Sequence, residues 1–573
     1  MKDRKRKNLL YLLTFCIPFI TALIGLIRGG FAPFGTKNVL SASDFSNYLP
    51  YFYELYDRVH EGQSLGYSNL HGLGYDFSSL LTYHLSDPSN YLILLFPRTA
   101  IPAVLNLLYA IKIGLSGLSA SLYFSYHLSQ IKTDDNYTEE ADNNPNENKK
   151  AKIDIIIGSK IENTKFGNIL ANFDWITLSL SIVFALSTTI ISIGMNITYL
   201  SAIAIFPILI LGVEKIINEQ NIKVFTIALF FSVLFNIHIS IISFIFVLIY
   251  FLTRNFKDTK HIFISIKLFT ISSILGILSN SFIIINSLQG SFFKEDISII
   301  FPTFILSNPF DSLKQLMSFS PISYLSIYGN NTDIAFGIGI IFLTILSFFN
   351  NKNSLKQRIK NLIIYLFLLA GIFTTTFHFM VNGMSINAAF RIHFSYIIVF
   401  YSLILTCSTL TNIRSFKSYS TIISASIMAL FIIGSMLLSA NYDASSPFIY
   451  SLEFLFVIFI LTLIFNNRSI VISLYKLIAA LIIICEVIIP YSINISSTGN
   501  SIVSYSISNT NSMIYYEASR YIHSFDQDAL VIYYNSDEFI PLKSDLLGYD
   551  YVIVNTTYKN NMDFYLEYLE DFS

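Results

Sequence analysis

Residues 9–27 read LLYLLTFCIPFITALIGLI, with Lys2, Arg4, Lys5, Arg6 and Lys7 before them and Arg28, Gly29 and Gly30 after. A helix of about 20 apolar residues crosses the hydrocarbon core of a bilayer, so this run is long enough to span. The basic cluster ahead of it looks like a secretory leader, but no convincing small-residue cleavage pattern follows Ile27. The reading is an uncleaved first transmembrane helix with a cytoplasmic N-terminus.

The composition extends that reading to the whole chain. Of 573 residues, 53% are hydrophobic and only 13% are charged, and the mean hydropathy is +0.58. Soluble domains carry about 25% charge. Further apolar segments lie near 101–127, 171–190, 197–216, 223–236, 238–252, 263–286, 334–349, 361–379, 391–411, 420–438, 448–465 and 471–490. With 9–27 they predict a mainly α, polytopic helix bundle of about thirteen spans. The pair at 223–252 also fits one long tilted helix.

The basic residues orient it. Before the tail, the segments assigned to the outer side hold only Arg28, Lys37, Arg58, Arg98, Lys294, Lys314 and Arg391 of the 36 lysines and arginines. Most of the rest fall on the other side, which is the positive-inside signature. The loop 28–100 and the C-terminal tail are therefore expected outside the cytoplasm. A net charge of −1 gives no nucleic-acid footprint. Cys16, Cys407 and Cys485 sit in apolar runs and read as small hydrophobes.

Two organisational units follow: a membrane domain over 1–490 and a small extracytoplasmic α/β tail over 491–573. In the tail, Leu530–Tyr534 and Tyr549–Val554 read as strands, and Ser512–Ser524 and Met562–Asp571 as helices. The cytoplasmic segment 128–168 contains TDDNYTEEADNNPNENKKAK, which is too polar to order itself.

The polar stretch Leu40–Tyr91 is where chemistry in water has room. It holds Asp44, Glu54, Asp57, Glu61, Asp76 and Asp87, three histidines and a run of tyrosines. Pro50 suits the first turn of a helix and Gly62 its stop. Phe52, Leu55, Tyr56 and Val59 take one face; Glu54, Asp57, Arg58 and Glu61 take the other. Such a helix suits the membrane interface, its tyrosines at headgroup depth.

Several stretches resemble a known family. They are SASDFSNYLPYFYEL (41–55), GLGYDFSSLLTYHLSDPSNYLILLFP (72–97), LLYAIKIGLSGLSASLYF (107–124), VNGMSINAAFRIHFSYIIVF (381–400) and PLKSDLLGYDYVIVN (541–555). Together they resemble the YfhO-like bacterial membrane proteins. That resemblance implies a GT-C type membrane glycosyltransferase, which takes a sugar from a polyprenyl-phosphate carrier and transfers it outside the membrane. The implied acceptor is an envelope glycopolymer such as teichoic acid. Asp44 matches the acidic residue that GT-C enzymes place in the first outer loop, and Arg391 the arginine after the Asn382-Gly383 turn. The tail is shorter than in many members, and Ile386-Asn387-Ala388-Ala389 stands where members often carry proline and aromatic residues.

Inverting transfer needs a base for the acceptor hydroxyl and a positive group for the departing phosphate. Asp44 is the candidate base; by position alone it reads first as a helix cap. Arg391 is the candidate phosphate ligand, since a guanidinium grips phosphate bidentately; the alternative is a snorkelling span-end arginine. His393 is a second phosphate candidate. Tyr48, Tyr51, His71, Asp76, Tyr83, His84 and Asn382 are candidates for sugar or acceptor contact. For the loop histidines and Asp76 an ordinary loop role competes. No metal-ligand spacing such as HExxH or CxxC occurs in the loop, so no cofactor is assigned, and a divalent metal stays open. No nucleotide-binding glycine pattern stands out. The rival function is a transporter or flippase of lipid-linked glycans, which predicts buried ionisable residues or broken helices. Lys112 and Glu486 are the main signs of that kind.

Overall fold

The computed structural model describes residues 2–39, 48–68, 75–139, 173–187, 189–190, 197–254, 256, 258–289, 336–381, 394–438, 446–467 and 472–501. The chain is mainly helical. The helices are α1 (Lys2–Gly29), α2 (Leu49–Glu61), α3 (Phe77–His84), α4 (Ile101–Glu139), α5 (Trp175–Leu186), α6 (Ile197–Glu219), α7 (Lys223–Phe235), α8 (Ile237–Thr253) and α9 (Thr259–Leu278). They continue with α10 (Ser281–Gln289), α11 (Ile338–Ser347), α12 (Leu355–Phe373), α13 (Thr375–Val381), α14 (Ser395–Thr411), α15 (Ser418–Leu438), α16 (Ser446–Asn467) and α17 (Ile472–Ser501). Among the described residues the sheet is one antiparallel pair, β1 (Tyr67–Ser68) with β2 (Tyr75–Asp76), in register Tyr67 to Asp76.

A helix occupies each apolar segment named above. Among the described residues, five helices are long and apolar enough to cross a membrane by length and composition: Arg4–Gly29, Arg98–Ile131, Ile197–Glu219, Thr259–Leu278 and Leu474–Ser492. Seven shorter apolar helices of 10–17 residues accompany them. The helices match the expected segments unevenly. The pair at 223–252 is two helices, broken at Asn236. That residue ends α7 in extended geometry and caps α8, its Oδ1 accepting from the Ile239 N–H at 3.0 Å. The expected single span 263–286 is also two helices, parted by Ser279 and Asn280. α4 continues as helix to Glu139, through the start of the segment expected to be disordered, and α17 passes the expected span end to reach Ser501. The rest of that polar segment, 140–172, and the tail's expected strands and helices lie outside the described residues.

α4 runs through the centre of the bundle, against α1, α5 and α6, and α17 closes over α1 and α5. Lipid gives helices little hydrophobic reason to associate, so close approach through small residues matters more. At Gly117 a Cβ would lie 2.2 Å from the Thr14 carbonyl oxygen, so α4 touches α1 backbone there. Thr14 also donates to Ser121 Oγ across the same seam at 3.1 Å.

Two buried glutamates inside this apolar bundle are well paired. Glu214 on α6 is buried and accepts from Tyr123 Oη (2.9 Å), Tyr250 Oη (2.7 Å) and Arg254 Nη2 (2.9 Å), with His127 Nδ1 at 2.9 Å. This joins α4, α6 and the C-terminal end of α8. Lys360 donates to the Thr253 carbonyl at the same end, at 3.3 Å. Glu486 on α17 accepts from the N–H groups of Ile338 and, at 3.0 Å, Gly339, the first turn of α11. A carboxylate there satisfies amides that a helix start leaves open and meets the positive end of its dipole.

Candidate functional site

The first loop folds back onto one end of the bundle. α2 starts with Pro50 in its first turn and ends at Gly62, whose φ of 69° is the left-handed stop expected of a glycine there. Its orientation differs from the expected one. Both faces are covered as far as Arg58, with Glu54, Asp57 and Arg58 buried beside Phe52 and Leu55, and only the last turn is exposed. Ion pairing makes that tolerable. Glu54 accepts from Arg58 Nε at 2.8 Å, and Arg58 also donates to the carbonyls of Ser64 and Tyr67. Asp57 takes a bidentate pair from Arg98, at 2.8 and 3.1 Å.

The chain just before residue 40 is held at the same end. Asn106 on α4 accepts from the Val39 N–H at 3.0 Å and donates to the carbonyls of Ala32 (2.8 Å) and Lys37 (3.1 Å). Eight residues later Tyr48 enters a ring cluster around His84. The His84 ring meets Tyr48 edge-on at 4.8 Å between centroids, Tyr83 edge-on at 4.6 Å, and Tyr51 stacked at 6.0 Å. His84 is only 4% exposed. Burial, with His238 as a like neighbour, pushes its pKa down to about 3, so the ring is neutral at ordinary pH. The α7–α8 break supplies that neighbour. Asn236 Nδ2 reaches the Tyr83 carbonyl at 3.5 Å, and His238 in the first turn of α8 lies 6.4 Å from the Tyr199 ring.

Beneath this cluster, Asp87 begins the 3₁₀ turn Pro88–Leu95. Its Oδ1 accepts from the Ser89 N–H and Oγ, both at 2.9 Å. Its Oδ2 accepts from Lys112 Nζ at 2.7 Å and Ser201 Oγ at 2.5 Å. Burial alone would raise the Asp87 pKa; the Lys112 charge and these hydrogen bonds outweigh it and hold the carboxyl below its usual range. The arrangement offers neutral aromatic faces beside a buried, fixed charge pair, at the end of a bundle whose helices are built for a bilayer.

The family described as "Bacterial membrane protein YfhO" matches residues 14–134 and 166–561. The chain belongs to the YfhO family of bacterial membrane proteins. No curated protein and no solved structure matches it.

In this YfhO-family chain the candidate residues read from the sequence fall into three groups. Tyr48, Tyr51, Tyr83 and His84 converge as described. Asp76 is exposed and caps α3, its Oδ1 accepting from the Ser78 N–H at 3.0 Å and Oγ at 2.7 Å; it stands apart from the ring cluster's contacts. Asp44, His71, Asn382, Arg391 and His393 lie outside the described residues. Among the described residues no group of three or more His, Cys, Asp or Glu is placed to hold a metal ion. Sequence reading missed His238, Asn236 and Ser201 at this site. A signal existed for two of them: Asn236-Ile237-His238 is a polar interruption inside an otherwise apolar run.

Proposed function

We propose that this protein is a membrane glycosyltransferase that moves a sugar from a polyprenyl-phosphate carrier to an extracytoplasmic envelope glycopolymer. One observation carries most of the support. Val39 and Tyr48, which flank the segment bearing Asp44, are both fixed at the end of the bundle where the tyrosines gather around a neutral histidine. Flat aromatic faces with a polar rim suit a sugar ring. In this reading Asp44 takes the proton of the acceptor hydroxyl. The acceptor oxygen bonds to the anomeric carbon, the bond from that carbon to the phosphate oxygen breaks, and polyprenyl phosphate leaves. Arg391 and His393 hold that phosphate, and the loop lies outside the cytoplasm.

The test is a mass-spectrometric comparison of envelope polymers from cells with and without the protein, followed by complementation with Asp44→Asn. The expected result is a sugar substituent that disappears on deletion, returns with the wild type and stays absent with the variant. Unchanged polymers on deletion would overturn the reading.

A second reading, transport of a lipid-linked glycan, draws on the helix break at Asn236 and on Glu486 capping the ten-residue helix α11. Interrupted helices with capped ends are features of transporters. Purified protein in liposomes separates the two: a new glycosidic bond means transferase, and translocation without one means transporter.

A further inference from the structure

Lys112 is a lysine on a membrane-length helix and is 2% exposed. An ionisable side chain there is costly and is a functional hypothesis by default. Its ammonium has three donors, and each has an acceptor: Asp87 Oδ2 at 2.7 Å, the Ile197 carbonyl at 3.0 Å and Asn90 Oδ1 at 3.4 Å. Asp87 in turn holds Ser201 Oγ. The network therefore ties three pieces together: the loop carrying His84, helix α4 and the first turn of α6. No donor remains for a lipid phosphate. A buried ion pair adds little net stability over a well-packed apolar pair of the same size, so what it supplies here is geometry.

We propose that Lys112 is a positioning residue. Through Asp87 and Asn90 it fixes the floor under His84 and its tyrosines, so the ring cluster is formed before any substrate arrives. This rests on the transferase reading for its functional consequence, but the fixing itself is independent of it.

The test uses the full-length protein in nanodiscs. Lys112→Met alone leaves Asp87 as an unpaired buried charge and risks misfolding. The deciding variant is therefore Asp87→Asn/Lys112→Met, which keeps shape and removes both charges. Three quantities are read: amide hydrogen exchange over 77–96 relative to α15 and α16, binding of undecaprenyl phosphate by native mass spectrometry, and sugar transfer per folded molecule in complemented cells. The proposal expects exchange over 77–96 to rise about tenfold or more. It expects undecaprenyl phosphate binding to be unchanged and transfer to fall about tenfold or more. Unchanged exchange overturns it, as does unchanged transfer with raised exchange. Lost undecaprenyl phosphate binding with unchanged exchange makes Lys112 a phosphate ligand instead. If the wild type itself transfers no sugar, the transferase reading fails, while the exchange and binding measurements still decide whether Lys112 fixes the loop.

Discussion

At the scale of single residues, His84 gives the most direct handle on the site. Its folded pKa of about 3 lies below the ordinary value of 6.5, so between those limits the unfolded chain binds the extra proton. Stability from this group is full above pH 6.5 and falls as the pH drops, by about 2 kcal/mol at pH 5. Asp87 acts in the same direction: its depressed carboxyl stabilises the fold above the usual carboxylate range and loses that contribution as pH falls towards its folded pKa. Thermal unfolding of the purified protein at pH 7 and pH 5 should show an acid-side loss, and His84→Gln should flatten it. An equal loss in the variant would assign the effect elsewhere. A second residue prediction concerns Glu54. Replacing it by leucine leaves Arg58 buried without its carboxylate, a change expected to cost about 3 kcal/mol, read as a lowered melting temperature. The four ring residues were legible in the sequence because they share one polar stretch. The partners of Lys112 were not, since Asp87 and Asn90 lie 25 and 22 residues before it and the Ile197 carbonyl 85 residues after it. Adjacency of that kind leaves no local pattern.

At the scale of elements, periodicity located the helices and misjudged one of their settings. The α2 pattern was amphipathic as read, but its polar face is covered because Arg98 and the carbonyls of Ser64 and Tyr67 arrive from later in the chain. Hydropathy placed the Asn236 break, with one long helix as the alternative, but passed over the break at Ser279 and Asn280, where the Asn280 amide donates to the carbonyls of Gly276 and Phe230 amid apolar neighbours. Asn236→Ala should remove the α8 cap and cost about 1 kcal/mol, with raised amide exchange confined to the first turn of α8. The α1–α4 seam is a harder constraint. Gly117→Leu would drive a side chain into the Thr14 backbone. Overpacking of this kind costs about 1–3 kcal/mol, so the variant should express poorly or melt early.

At the scale of the whole molecule, orientation is the property most open to direct measurement. From the charge bias of the sequence, the expectation is a first loop outside and the Lys352–Lys360 segment inside. In intact cells, an impermeant maleimide should label Gln63→Cys and leave Lys352→Cys unlabelled until the membrane is opened. The reverse pattern would invert the protein and remove the extracytoplasmic site from the proposal. Membrane character and helix content were legible from composition because a bilayer imposes both on every segment at once. The assembly of the site was not, because it depends on which helices become neighbours.

One such neighbour pair limits how the protein can move. α4 and α6 are doubly pinned: Lys112 and Asp87 meet Ser201 and the Ile197 carbonyl at one level, and Tyr123 and His127 meet Glu214 at another. On α4 the two levels lie about 20 Å apart along the helix axis. Like a beam bolted at both ends, the pair can neither slide nor roll without stripping buried charges of their partners. Any gap that opens to admit a long lipid tail must therefore part other helices and leave this spine still.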